Sequence, residues 1–193
     1  IAQSIQTPGV SGLENNIVLF ELEKNDEESF EQAIDNFNLV KSGNFDVLFL
    51  TSDNRKVNFK GGIHIWIHPS DDNSINLMIM LSFIMLHHPA WKKAKINVFV
   101  VIKEAEENQF KDQFTEMVSS GRIPITMKNI QFINKEEDVK SKDLMQKYSK
   151  DAGLVFVGIH PNLIKHKGIQ VFADCEKLGD VVYVYSNRKV PIE

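Results

Sequence analysis

Six histidines, a single cysteine and the adjacent pair Asp71-Asp72 are the side chains whose types could bind a metal, move a proton or attack a carbonyl. His68 and His160 each close an apolar run, and each precedes a proline. If both runs are parallel strands, both histidines stand on the carboxyl edge of a sheet, where doubly wound folds take their ligands. Asp71 lies three residues after His68, in the turn His68–Asn73. An acidic pair there could hold a cation or a ribose hydroxyl. Capping of the following helix by Asp72 or Ser74, with the acids at its positive end, is the favoured reading of the pair. His68, Asp71 and His160 are therefore the candidate ligand edge.

The other chemistry-bearing residues fit no known constellation. His64 and His68 are four apart, which on a strand separates them by about 13 Å. A two-histidine zinc site needs that spacing on a helix, and H-E-x-x-H does not occur. Two adjacent acids without a third ligand make a poor metal site, so no metal is expected. His87-His88 precedes a proline at a helix end, where histidine suits the dipole. Cys175 has acids around it and nothing to depress a thiol pKa, which makes it a buried or inert thiol. Gly61-Gly62 precedes a strand instead of following one, so it reads as a turn and not a phosphate loop. No G-x-S-x-G elbow is present. No catalytic residue and no cofactor are expected, and an enzyme is the least favoured class.

The elements that must position these residues are organised around Gly61–Ile102. The strand Ile63–Ile67 is followed by the turn, the apolar helix Ile75–Leu86 and the strand Ile96–Ile102. That is the strand–helix–strand length that a parallel crossover needs. Upstream come a strand at Ile17–Leu22, a helix over Glu27–Val40 closed by Gly43, and a strand at Phe45–Leu50. Downstream come a helix over Glu104–Ser119, a strand at Asn129–Asn134 near a sheet edge, and a helix over Lys140–Lys150. A strand at Gly153–Ile159, a helix over Ile169–Leu178 and a strand at Val181–Tyr185 complete the pattern. Continuous Val/Ile/Leu/Phe strands alternating with helices predict a doubly wound, mostly parallel α/β sheet with helices on both faces. The one break in alternation is Phe45–Leu50 followed by Ile63–Ile67, which could pair antiparallel or be joined by a loop crossing an edge.

The helix Ile75–Leu86 is apolar on every side except Asn76 and Ser82. A surface helix should carry a polar stripe. Its excess points to an interface, with Ile75, Met78, Ile79 and Phe83 as the contact candidates. Burial by loops of the same domain is the alternative.

At 193 residues the chain fits residues 1–15 as an arm or linker and 16–193 as one domain. A net charge of −4 with interspersed signs offers no footprint for nucleic acid. One cysteine allows no internal disulfide and suits a reducing compartment. The longest apolar run, Ile75–Leu86, would cover only about 18 Å, short of a membrane span. The chain opens on Ile1, which suggests a piece of a longer protein.

Several motifs in order resemble one family. They are Gly62-Ile63-His64-Ile65-Trp66-Ile67-His68-Pro69-Ser70-Asp71-Asp72, then Leu77-Met78-Ile79, then Trp91-Lys92-Lys93-Ala94-Lys95-Ile96-Asn97-Val98-Phe99-Val100. Together they resemble the cytosolic C-terminal domain of the cation–chloride cotransporters. Gly12–Leu19 is similar to that family's opening strand, and Leu144–Ala152 with Leu154–Val157 and Pro161 to a later helix and strand. The sequence departs from the family at His64 in place of an acid, Ile67 in place of a second Trp, Ala94 in place of a Cys, and Asn73-Ser74 in place of a Gly pair. The short stretch between Ile133 and Leu144 points to a prokaryotic member or a distant one.

The resemblance implies a universal-stress-protein-like α/β fold on the cytoplasmic side of the membrane. It implies a regulatory and assembly domain of a transporter that carries Cl− with Na+ and/or K+, taking no part in translocation itself. The implied partners are a second copy, a companion cytosolic subdomain and the transporter's transmembrane domain. The alternative is a nucleotide-binding module of the universal-stress-protein type, without hydrolysis, using the His68/Asp71/His160 edge.

Overall fold

The computed structural model describes residues 15–52, 56–68, 72–102, 110–112, 115–116, 125–135, 139–173, 175 and 177–188. Asp71, nearly all of the expected arm and most of the expected Glu104–Ser119 helix lie outside them. The strands are β1 Ile17–Glu23, β2 Asp46–Ser52, β3 Ile63–Ile67, β4 Ile96–Ile102, β5 Ile130–Asn134, β6 Leu154–Gly158 and β7 Asp180–Tyr185. The helices are α1 Glu27–Ser42, α2 Asp72–Leu86, α3 Ser141–Ser149, α4 Pro161–Lys167 and α5 Gln170–Ala173.

The described strands form one seven-stranded sheet in the order β1-β2-β7-β6-β3-β4-β5. β7, β6, β3, β4 and β5 run parallel. β1 and β2 are parallel to each other, and β2 meets β7 antiparallel. The expected antiparallel relation exists, but not between neighbours: β7 and β6 lie between β2 and β3. Because β2 runs against β3, its last residue and the first of β3 fall at the same end of the sheet. No return helix is needed, which is why none stands between them in sequence.

Alternation along each strand sorts the side chains into two cores. Val47, Phe49, Trp66, Phe99, Val155, Val181 and Tyr183 face one side with α1, α4 and α5. Leu144, Met145 and Tyr148 bring α3 to that side as well. Leu48, Ile63, Ile65, Ile67, Val98, Val100, Phe156 and Val182 face the other side with α2. Helices therefore cover both faces, and the fold is doubly wound α/β. β5 is an edge strand, as its partial alternation predicts.

Local chemistry sets the element ends. Asp26 accepts the Ser29 amide at 3.2 Å and caps α1 ahead of Glu27 and Glu28. Gly43 is the C-cap, but the left-handed conformation falls on Asn44, with φ 64°. Gly62 has φ 76°, and a Cβ there would lie 2.4 Å from the Lys95 carbonyl oxygen. At Gly61 a Cβ would lie 1.9 Å from the carbonyl oxygen of Asp151. The glycine pair thus serves close backbone packing at the foot of β3.

Two expectations need correction. Ile75, Met78 and Ile79 are not surface contacts. They are 5%, 0% and 0% exposed, because α2 packs across β3, β6 and β7 and every residue from Ser74 to Ile79 is buried. The free part of α2 is its C-terminal half, where Phe83 is joined by Met80 and by Ile84 at 63% exposure. Ser74 does not cap the helix either. Its hydroxyl accepts the Ser186 amide at 3.2 Å and ties α2 to the exit of β7.

Of the expected Ile169–Leu178 helix the described residues show only the turn Gln170–Ala173, and a helix that was not expected precedes it. α4 starts earlier, at Pro161, with His160 as its N-cap, and Gly168 at φ 53° separates it from the single turn of α5.

Candidate functional site

The site grows from the ends of two neighbouring parallel strands. β3 and β6 are paired with Trp66 opposite Val157, so His68 and the Ile159-His160 pair leave the sheet side by side. The chain after β3 turns to α2 on one face, while the chain after β6 turns to α4 on the other. Strands whose following helices diverge leave a crevice at their carboxyl ends. Here it is a cleft of about 560 Å³. That is within the usual range of small-molecule sites.

The structure brings His68 and His160 to this one cleft. Both are exposed at its mouth. Asp71 lies outside the described residues. His160 Nδ1 accepts the Asn162 amide at 3.2 Å, so in the neutral ring the proton sits on Nε2. The cleft adds residues that sequence reasoning missed. Lys142 comes from the first turn of α3, and Lys167 from the end of α4. Met145, Val157, Ile159, Leu163 and Val171 form its apolar surface.

Cys175 also lines the cleft. It is 2% exposed with Sγ 3.5 Å from Met145 Sδ, a buried thiol as expected. Tyr183 is buried at the floor, and its hydroxyl donates to the Phe172 carbonyl at 3.0 Å. Among the described residues two lysines and no carboxylate line the cleft, in a chain of net charge −4. The arrangement favours an anion.

The available signal for Lys167 was Pro161 after His160, the mark of a helix starting with proline in its first turn. Lys142 had no signal, since α3 is brought to the cleft only by the sheet order. Ser141, also at the cleft, is hydrogen-bonded to Lys135 Nζ at 3.1 Å. Among the described residues no group of three or more His, Cys, Asp or Glu gathers to hold a metal ion.

A second concavity of about 560 Å³ lies on the opposite face, between β1–β2 and the C-terminal half of α2. It is apolar, with Leu19, Leu50, Phe59, Ile84 and Met85 among its walls.

The fold is similar to that of the cytoplasmic domain of a prokaryotic cation chloride cotransporter. The TM-score is 0.61 and the identity 14%, over 96% of this chain and 69% of that one. Two structures from Pseudomonas aeruginosa match with TM-scores of 0.49 and 15% identity, over 86% of this chain and 62% of theirs. They are a candidate universal stress protein from strain UCBPP-PA14 and a protein of unknown function from strain PAO1. No protein-family model matches the sequence, and no curated protein does. At such identities the likeness concerns the fold alone. Among the described residues no helix is long and apolar enough to cross a membrane.

Proposed function

We propose that this chain is a cytosolic regulatory and assembly domain of a membrane transporter that carries Cl− with Na+ and/or K+. It sits on the cytoplasmic side of the membrane, acts by association and not by catalysis, and leaves translocation to the membrane portion. Its partners are a second copy, a companion cytosolic subdomain and the transmembrane domain. The reading is supported by one coincidence. The β3–α2–β4 unit, which carries the cotransporter-like motifs, is central to a fold that aligns with a cotransporter cytoplasmic domain over 96% of this chain. The surface for self-association is the exposed C-terminal half of α2, with Met80, Phe83 and Ile84. An apolar cluster of this kind on a surface helix suits a protein contact.

Sedimentation equilibrium over a wide concentration range tests the assembly role. A concentration-dependent dimer weakened by Ile84→Glu is expected. A strict monomer would overturn self-association by this chain. Transport is tested on the protein that carries the chain, reconstituted in vesicles. Chloride uptake that requires Na+ or K+ is expected, and uptake indifferent to both cations would sink the idea.

A second function is favoured by the cleft at the β3/β6 divergence: a ligand-sensing module of the nucleotide-binding type, without hydrolysis. Thermal shifts with ATP, ADP and AMP measure it directly. Stabilisation by one of them without phosphate release is the expected result.

A further inference from the structure

We propose that the β3/β6 cleft binds an organic anion with an apolar body, a carboxylate- or phosphate-headed molecule of medium chain length. The inference rests on the cleft alone and puts a different ligand class in place of the nucleotide of the second function above; its failure leaves the assembly role untouched.

Charge selects the head group. Among the described residues Lys142 and Lys167 line the cleft and no acidic side chain does. A cavity lined by one sign of charge concentrates the opposite ion. His160 adds to this, since its Nδ1 is engaged by the Asn162 amide and the neutral ring keeps Nε2 as a donor.

The floor selects the body. Val157, Ile159, Leu163 and Val171 present hydrocarbon. The hydroxyl proton of Tyr183 is committed to the Phe172 carbonyl at 3.0 Å. A nucleobase carries ring nitrogens and exocyclic groups that need partners when buried, and an unpaired buried polar group costs about 1–3 kcal/mol. An alkyl or aryl body has no such need and gains from burying its surface.

Isothermal titration calorimetry of the whole chain is the test. Octanoate and octyl phosphate are the probes. Inorganic phosphate, octanol and AMP are the comparisons, since each lacks the body, the charge or the apolar character. Both octyl anions are expected to bind at least about tenfold tighter than phosphate and octanol. The stronger of the two identifies the head group. The double variant Lys142→Glu/Lys167→Glu changes exposed side chains and should weaken the octyl anions by at least about tenfold. Leu163→Asp, at a position 42% exposed, should do the same. Ile84→Glu, at the groove on the opposite face, should leave binding unchanged. If the glutamate pair perturbs the circular dichroism spectrum, Lys142→Gln/Lys167→Gln removes the charge with a smaller change. Octyl anions that bind no tighter than phosphate or octanol overturn the proposal. So does binding indifferent to the lysine variants, or binding lost with Ile84→Glu. AMP binding more tightly than either octyl anion gives the cleft to a nucleotide instead.

Discussion

The hydroxyl of Ser149, at the end of α3, stands 2.8 Å from His64 Nδ1 in the middle of the sheet. The same oxygen accepts the indole N–H of Trp66 at 2.9 Å. An indole can only donate, so the serine oxygen accepts there and keeps its own proton and a second lone pair for the His64 contact. Burial lowers the His64 pKa to about 4, and a backbone hydrogen bond at Gly61 opposes that only in part. The three side chains fasten α3 to β3 through a fully satisfied polar contact inside an aromatic layer, where Trp66 stacks on Phe99 at 4.7 Å.

Ser149→Ala should cost about 1–3 kcal/mol, because it strands the Trp66 donor and the His64 ring nitrogen Nδ1 in the core. Urea denaturation measures it. A loss below about 0.5 kcal/mol would mean that the contact is incidental.

Acid should destabilise the fold through the same histidine. The folded pKa is about 4, against 6.5 for the free side chain. Between those values the unfolded chain binds the extra proton, so stability rises with pH. The contribution is fully present above pH 6.5 and is lost as pH falls towards 4. It is on the order of 3 kcal/mol. His64→Gln should flatten this part of the stability–pH profile, and an unchanged slope would assign the effect to other groups.

The two halves of α2 should respond oppositely to charge. Met78→Asp puts a carboxylate where the side chain is 0% exposed and should unfold the domain or cost at least about 3 kcal/mol. Ile84→Glu, at 63% exposure, should change stability by less than about 0.5 kcal/mol. Thermal denaturation of the two variants side by side decides the matter. Equal tolerance would return Met78 to the surface and overturn its place in the core.

Asp46 joins the start of β2 to the exit of β7. It accepts the Ser186 hydroxyl at 2.9 Å and the Asn187 amide at 2.7 Å. Asp46→Ala should cost about 1–3 kcal/mol. Asp46→Asn offers a second readout. Burial raises the Tyr185 pKa first, and the charge of Asp46 raises it further. The Asn variant should lower that pKa but leave it above the ordinary tyrosine value, as followed by ultraviolet titration. A tyrosine pKa that does not move would remove Asp46 from its surroundings.

Gly62→Ala should cost at least about 1–2 kcal/mol. The residue would have to hold φ 76° while its Cβ pressed on the Lys95 carbonyl. A chemical denaturation midpoint equal to that of the parent would show that the turn can relax.

What the sequence alone determined is what short-range physics controls. Short, nearly continuous apolar runs rich in β-branched and aromatic residues located every described strand, and β4 at Ile96–Ile102 to the residue. A helical period with acids at one end and glycine at the other bounded α1. Two histidines before prolines pointed to the edge where a cleft lies, because a parallel strand commits its last residue to one rim of the sheet. The tertiary structure decided what depends on residues far apart. β7, last in the chain, enters between β2 and β6, so the antiparallel seam falls at β2–β7. No local pattern encodes which strand will be a neighbour. Ile75, Met78 and Ile79 looked like an unpaired surface because a helix's own composition does not tell how many sides its domain encloses. Lys142 reaches the cleft from α3 and Lys167 from α4, so the cationic rim exists only once the sheet has set its order.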